Sequence, residues 1–208
     1  MKNRAFFFVL VFALSILPVA AQTGKTAEIK RIDAYVKMLD ALVKKNKAPH
    51  LIFADTSDYD DGSKPKWQKF ADEKALEKFR TETSETYTIA FNWLQRGRIV
   101  RSNFTLFSPS GDWTQYVFHN FRADGSLAHA QTEMRTFNGD LIVTQDFYHD
   151  RRGRLLKKTV KYRDLITDKP VKPTREFLKN NADWLSDVEY YKKTSLLPFA
   201  NLPVKTTK

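Results

Sequence analysis

Two histidines and a glutamate are the residues of this sequence best suited to chemistry. His119 and His129 lie on either side of a predicted hairpin turn, and Glu133 follows His129 by four residues. With a three-residue loop in that turn, Phe121 is opposite Leu127 and His119 is opposite His129. Two imidazoles and a carboxylate can bind zinc or act as acid and base. A polar exposed sheet face explains the same residues, because short ligand sets without diagnostic spacing are seldom real sites.

The last predicted hairpin is strongly basic. Between residues 151 and 163 there are seven cations and no acid: Arg151, Arg152, Arg154, Lys157, Lys158, Lys161 and Arg163. A basic stripe can follow a phosphate-bearing polymer. Lysines on a terminal strand also discourage aggregation through the unpaired sheet edge. Edge protection is the more economical interpretation, and we expect no nucleic-acid partner, although contact with an anionic membrane surface stays open.

Residues 85–165 are predicted below to form strands, in which successive side chains alternate between the two faces of a sheet. Aromatic residues occur in both alternating sets, which suits a cavity for an apolar molecule as well as an ordinary core. Polar residues interrupt the apolar pattern near the middle of residues 85–165. A ligand site is expected where this interruption occurs. The predicted ligand-binding residues are Trp113, Gln115, His119, Phe121, His129 and Glu133.

The common catalytic motifs are absent from the sequence. The glycines are isolated, so no phosphate-binding loop is formed, and there is no Gly-x-Ser-x-Gly or His-Glu-x-x-His pattern and no cysteine nucleophile. We therefore assign no catalytic residue, no metal ligand and no cofactor. The sequence favours a protein that is not an enzyme.

Five regularly spaced glycines indicate the elements that position these residues. They are fourteen residues apart: Gly97, Gly111, Gly125, Gly139 and Gly153. That interval accommodates a strand of about ten residues and a tight turn. The stretch 85–165 is therefore predicted to be an up-and-down antiparallel meander of about six strands, forming a bent sheet or a half-barrel.

The turn sequences predict loop lengths. Arg96-Gly97 and Asn138-Gly139 suit two-residue loops. The loops 123–125 and 151–153 suit three residues with glycine in the left-handed position.

Helical segments are predicted on both sides of the meander. Residues 25–46 carry apolar residues at three- and four-residue steps, which is typical of an amphipathic helix that packs on a sheet. A C-terminal helical segment and tail occupy 174–208, and the tail contains Pro198 and Pro203. The predicted fold class is α+β, mostly antiparallel β, with residues 22–208 forming one domain.

Residues 1–21 have the pattern of a signal peptide. Lys2 and Arg4 precede an apolar run, and Ala20-Ala21 provides a cleavage site. The run is short for a membrane span, although an uncleaved anchor is the alternative. The chain has no cysteine, which suits bacterial export better than a disulfide-rich secreted domain. We predict a periplasmic or secreted protein with no transmembrane helix after cleavage, whose formal net charge falls from +11 to +9 once Lys2 and Arg4 are removed.

Taken together, the sequence predicts a non-enzymatic exported binding module, a carrier or sensor of an apolar or amphiphilic ligand on the concave sheet face. The first alternative is an envelope interaction or structural protein that uses a sheet edge or the basic hairpin. A hydrolase or metal-dependent enzyme centred on His119, His129 and Glu133 is the third hypothesis.

Overall fold

The computed structural model describes residues 5–57, 64–83, 86–186 and 188–202, with side chains from residue 24 onward. The predicted signal peptide lies outside the described side chains, and the end of the predicted tail, 203–208, lies outside the described residues. Signal cleavage therefore stays a prediction. Within the described residues, no helix combines the length and the apolar character that crossing a membrane requires.

The centre of the fold is an open, antiparallel, eight-stranded sheet in the order β2-β1-β3-β4-β5-β6-β7-β8. The strands are β1 (Leu51–Asp55), β2 (Trp67–Phe70), β3 (Thr88–Gln95), β4 (Arg98–Phe107), β5 (Trp113–Phe121), β6 (Leu127–Thr136), β7 (Leu141–His149) and β8 (Leu155–Asp164). The predicted six-stranded meander is β3 to β8, and β1 and β2 extend the sheet beyond β3. The α+β fold class is confirmed, and the described sheet is not closed into a barrel.

The helices are short except for the first. They are α1 (Ala5–Asn46), α2 (Glu73–Glu82), α3 (Arg175–Asn180) and α4 (Ala182–Ser186), followed by a 3-10 turn, Thr194–Leu196. The predicted helix 25–46 is therefore the C-terminal part of α1. Asp72 caps α2 by accepting a hydrogen bond from Ala75 N, and Thr174 caps α3 in the same way from Phe177 N.

Most of the predicted turns are correct. Arg96 and Gly97 both have positive φ and form the two-residue loop between β3 and β4. Arg122 N donates to Ser126 O, so residues 123–125 form the predicted three-residue loop. Asp150 N and Arg154 O close the loop 151–153 in the same way.

The prediction of a two-residue loop at Asn138-Gly139 is wrong. β6 ends at Thr136 and β7 begins at Leu141, which leaves four residues between them. Thr136 Oγ1 accepts a hydrogen bond from Asn138 N at 3.0 Å. This side-chain hydrogen bond makes the turn begin at Thr136, two residues before Asn138. Asp140 then takes positive φ beside Gly139.

The two faces of the sheet are covered by different parts of the chain. Helix α1 lies on one face, the α1 face, where Asp33 accepts a hydrogen bond from Tyr148 and Asp40 pairs with Arg101. Residues 174–202, without residue 187, lie on the other face, which we call the C-terminal face. There Phe53 stacks on Phe199 with ring centroids 4.2 Å apart.

The main core lies on the C-terminal face. Its buried residues come from the six inner strands and from the end of the described chain: Leu51, Phe53, Ala90, Phe104, Val117, Phe121, Leu127, Ala130, Phe147, Leu197 and Phe199. Leu197 and Phe199 show that residues beyond α4 are part of the core. The described part of the predicted tail therefore lies on the sheet.

Candidate functional site

A large cleft lies on the C-terminal face, between the sheet and residues 184–192. Its volume is about 620 Å³. Strand residues form its floor and apolar walls: Trp67, Thr88, Phe104, Leu106, Gln115, Val117 and His119. Trp184, Val188, Tyr190 and Tyr191 cover it, and Glu189 and Lys192 lie at its rim.

A second cavity of about 490 Å³ continues from the first. The two cavities share Gln115 and Trp184, so they meet at these two residues. Trp113, Met134 and Phe177 give the second cavity its apolar surface, and Asp112, Asn138 and Asn181 its polar rim. The combined space is rich in aromatic side chains and open to solvent, and we call it the C-terminal cleft.

His119 is the buried polar group at the inner end of the cleft. The side chain is inaccessible to solvent, and its ring lies 5.6 Å from both the Phe121 and the Tyr191 rings. Nε2 accepts a hydrogen bond from Tyr191 N at 3.0 Å. Burial lowers the pKa of His119 to about 3, against a smaller opposing effect of the Ser102 and Val117 carbonyls. The imidazole is therefore neutral at pH 7, with its proton on Nδ1.

Further polar side chains are buried on the same face. Ser102 is paired with His119 across β4 and β5, and Thr132 lies between Val117 and Gln145. The Ser102 and Thr132 hydroxyls and both amide atoms of Gln145 have no hydrogen-bond partner among the described residues. Buried polar groups of this kind are normally satisfied by ordered water or a ligand. The sheet beneath the C-terminal segment thus has a polar strip inside an apolar surround.

Only part of the predicted ligand set comes together. Trp113, Gln115 and His119 alternate along β5 and line the C-terminal cleft. Phe121 continues the same row but is fully buried in the main core. His129 and Glu133 lie on the α1 face, since they pair with Asn120 and Tyr116, the neighbours of the cleft residues along β5.

The predicted pairing of His119 with His129 is wrong, and a β-bulge is the cause. Phe121 is opposite Leu127 as predicted, but the register shifts at the next pair, so that Asn120 is opposite His129 and His119 is opposite Ala130. A bulge adds one residue to one strand and changes the face of everything beyond it. The two imidazoles therefore do not share a site, and the hypothesis of a metal or catalytic centre built from them has no geometric support.

His129 belongs instead to a buried hydrogen-bond network beneath α1. Its Nδ1 lies 3.2 Å from Asn120 Nδ2, and its Nε2 lies 3.2 Å from Asp146 Oδ1. Gln131 Nε2 and Thr159 Oγ1 also donate to Asp146. Burial raises the pKa of Asp146, but these hydrogen bonds outweigh it and lower the value to about 2. Because both ring nitrogens are engaged, His129 has no nitrogen free to bind a substrate.

Glu133 is held by two cations on the α1 face. Arg135 lies 2.8 Å from its carboxylate on the same strand, and Arg163 lies 3.0 Å away on β8. Within the parts of the chain that the structure describes, no three His, Cys, Asp or Glu side chains come close enough to hold a metal ion.

The basic hairpin lies at the β8 edge of the sheet. Arg151 pairs with Asp124 at 3.6 Å and Arg154 with Asp150 at 2.7 Å, while Arg152 is exposed in the turn. Lys158 donates to Leu185 O on the C-terminal face.

Lys157 extends over the Tyr148 ring on the α1 face, and Lys161 is exposed. Val171 N donates to Tyr162 O, which covers the C-terminal end of the β8 edge. The other lysines of the strand suit protection of the remaining edge.

The C-terminal residues of the cleft were missing from the predicted site. Trp184 and Tyr191 lie in the predicted C-terminal segment, where their apolar character suggests packing but not a location. Tyr190 packs on Phe147 and donates or accepts a hydrogen bond at His149 Nε2. The concentration of large aromatic residues after Pro173 was the available signal.

Comparison with known proteins does not add a function to this geometry. No known family, no curated protein and no solved structure shows significant similarity to the chain.

Proposed function

We propose that the protein is an exported, non-enzymatic binding module that holds an apolar or amphiphilic ligand in the C-terminal cleft. One observation carries the proposal: two adjoining cavities of about 620 and 490 Å³ are lined mainly by aromatic and aliphatic side chains. Ligand sites are typically concave, mostly apolar and supplied with a few placed polar groups. The cleft has this composition.

The distribution of polar groups favours an amphiphile over a purely apolar molecule. Gln115 is half-buried where the two cavities meet, and its amide can orient a polar group of the ligand. Lys192 and Glu189 at the rim can contact a solvated headgroup. An acyl chain would then lie against Trp184 and Trp113, with its polar end near the rim.

The positions of the tryptophans provide a direct test. Trp67, Trp113 and Trp184 line the C-terminal cleft, whereas Trp93 is buried among the strand residues of the α1 face. A fatty acid brominated along its chain quenches tryptophans that it contacts. Titration of the protein with this fatty acid should give saturable quenching.

Two single variants make the test specific. Trp184→Phe should reduce the quenched fraction of the fluorescence, and Trp93→Phe should increase it, because the second variant removes a tryptophan that the ligand does not reach. Quenching that does not saturate, or that responds equally to both variants, would reject the proposed cleft. Native mass spectrometry of protein purified from its own host would then identify a retained ligand.

A contact with an envelope protein along β8 is the second candidate. β8 ends the sheet, and Leu155 and Val160 on it are 51% and 39% exposed. An exposed edge strand can accept a further strand from a partner. A photo-crosslinker at Val160 should then capture a defined partner in cells, while one at Leu178, which is equally exposed on α3, should not.

A further inference from the structure

Another cavity, separate from both parts of the C-terminal cleft, lies between α1 and the β5–β6 turn. Its volume is about 320 Å³. Arg31 reaches it from α1, Arg122 from the end of β5, and Arg151 from the β7–β8 turn. Three arginines from three separate segments therefore converge on one cavity.

The apolar and hydroxyl groups of this cavity come from α1 and β6. Ile32 and Ala128 form buried surface, and the Tyr35 side chain lines the cavity while its hydroxyl donates to Phe121 O at 2.5 Å. Tyr35 thereby fixes α1 against the end of β5. The cavity wall does not depend on a single flexible loop.

Arg122 is held rigidly at the inner side. Its side chain is 10% exposed, and its Nη1 and Nη2 donate to Leu127 O and His149 O, both at 2.6 Å. These two carbonyls are neutral, so they orient the guanidinium without cancelling its charge. A buried, pre-oriented guanidinium is the group that proteins use to recognise carboxylates and phosphates.

The carboxylates near the cavity do not neutralise it. Among the described residues that line the cavity, Glu28 is the only acid, and it is 3.4 Å from Arg31 Nη1 and 3.7 Å from Arg122 Nη2. Asp124 lies 3.6 Å from Arg151 in an exposed pair, which contributes little attraction. Burial lowers the pKa of Arg122, Glu28 raises it, and the positive charge of Arg151 lowers it further. A net positive charge thus remains in a partly enclosed space.

We propose that the cavity formed by Arg31, Arg122 and Arg151 binds a phosphate group, either free or as the headgroup of a phospholipid. Tetrahedral phosphate accepts hydrogen bonds from several directions, which suits guanidiniums from three segments better than a planar carboxylate does. The volume accommodates a phosphate with a small substituent. The site is independent of the amphiphile proposed for the C-terminal cleft, because it lies between α1 and the α1 face of the sheet.

Calorimetric titration with inorganic pyrophosphate at low ionic strength tests the site. The purified protein should bind with a saturable one-to-one isotherm. Arg31→Gln combined with Arg151→Gln should weaken binding by about tenfold or more, because each removed guanidinium takes a charge-assisted hydrogen bond with it. Both side chains are at least 75% exposed, so the double variant should fold, and circular dichroism checks this.

Two further variants are informative: one should increase the affinity for pyrophosphate, and the other is a control that should leave it unchanged. Glu28→Gln removes the repelling carboxylate and should tighten pyrophosphate binding several-fold. Arg152→Gln removes an equal charge from the neighbouring exposed residue, which does not line the cavity, and should leave the affinity within about twofold. Equal weakening by Arg152→Gln, or a linear isotherm, would overturn the proposal, since either result indicates general attraction to a basic surface.

Vesicles distinguish the two sources of phosphate. If the ligand is a headgroup, phosphatidylglycerol vesicles should bind the protein, pyrophosphate should displace them, and the Arg31→Gln/Arg151→Gln variant should lose most of the binding. If the ligand is a free phosphate compound, pyrophosphate binds and the vesicles do not. Failure of both probes would overturn the proposal.

Discussion

The backbone N–H of Tyr191 donates to Nε2 of His119 at 3.0 Å, which fastens the C-terminal segment to the middle of the sheet. His119 has no solvent-accessible surface, and Phe104 and Phe121 also contact its ring. The residue that a sequence-based search selects for chemistry is therefore a structural acceptor beside the proposed ligand cleft. Its neutral form is required, because a protonated Nε2 cannot accept a hydrogen bond.

Substitution of His119 should be costly even when its ring volume is kept. In His119→Phe the Tyr191 N–H loses its partner inside the protein, and we expect the free energy of unfolding to fall by about 1–3 kcal/mol. His119→Ala adds a cavity and should cost about 3–5 kcal/mol.

Urea denaturation measures both changes. His50 gives the matched control, because its Nδ1 accepts a hydrogen bond from Leu94 N at 3.2 Å on an exposed side chain. His50→Ala should cost less than about 1 kcal/mol. Equal losses at the two positions would show that burial of the acceptor is not the reason.

The stability of the protein should fall as the pH is lowered from 6.5 toward 3. The folded state keeps His119 neutral down to a pKa of about 3, whereas in the unfolded chain the group takes up a proton below about pH 6.5. The unfolded state then binds more protons, so the free energy of unfolding falls by up to about 1.4 kcal/mol for each pH unit in this window.

His149 acts in the same direction, since burial also lowers its pKa. Comparison with His119→Phe isolates the contribution of His119: the variant should lose less stability than the wild type between pH 7 and pH 4. Parallel pH profiles for the two proteins would show that His119 is protonated in the folded state as easily as in the unfolded chain.

The glycine spacing predicted the meander because a hairpin end imposes a local requirement on the backbone. All five predicted turn glycines have positive φ, and a strand of nine or ten residues lies between each of them and the next. The face of each side chain was not predictable in the same way. The bulge beside Phe121 shifts the register by one residue, and this shift decides whether His129 meets His119 or Asp146.

The cleft was only half predicted for a related reason. Alternation along β5 places Trp113, Gln115 and His119 on one face, and this is correct. The covering residues Trp184 and Tyr191 come from a segment with little periodicity, and its course across the sheet is fixed by tertiary contacts such as the His119–Tyr191 hydrogen bond. No local pattern encodes such a contact.

Filling the point where the two cavities meet should weaken ligand binding. Gln115→Trp places an indole between the two halves of the cleft, and we expect the affinity for a fluorescent apolar dye to fall by about tenfold. Thr114→Trp adds similar bulk to the adjacent residue, whose side chain is on the α1 face, and should change the affinity by less than about twofold. Dye titration followed by fluorescence anisotropy measures both. An unchanged affinity for Gln115→Trp would place the dye elsewhere.

Asp146 should be the most sensitive carboxylate of the α1 face. In Asp146→Asn the charged acceptor of His129, Gln131 and Thr159 is lost, and we expect destabilisation of about 2–4 kcal/mol at pH 7. Asp168→Asn is the control, because this exposed residue pairs with Arg163 and should contribute less than about 1 kcal/mol.

The contribution of Asp146 also has its own pH window. Its folded pKa of about 2 lies below the ordinary aspartate value of 3.8, so its stabilising effect is complete above about pH 4 and is lost as the pH falls toward 2. The difference in unfolding free energy between wild type and Asp146→Asn should therefore shrink over that interval. A difference that is constant from pH 5 to pH 2 would mean that the charge of Asp146 is not what stabilises the network.

Gly125 should couple the β5–β6 turn to the C-terminal segment. It has φ +81°, and a Cβ added there would be 2.6 Å from Thr194 Oγ1, whereas Gly97 has φ +73° with open space around its Cβ position. Gly97→Ala should cost only the backbone strain of about 1 kcal/mol, and Gly125→Ala should cost more because the Thr194 hydroxyl must move.

Removal of the Thr194 hydroxyl in Gly125→Ala/Thr194→Ala should recover the excess loss of stability, a coupling of about 0.5–3 kcal/mol in a double-mutant cycle. Strict additivity would show that the segment tolerates displacement at Thr194, and the cover of the C-terminal cleft would then be held mainly by Tyr191, Leu197 and Phe199.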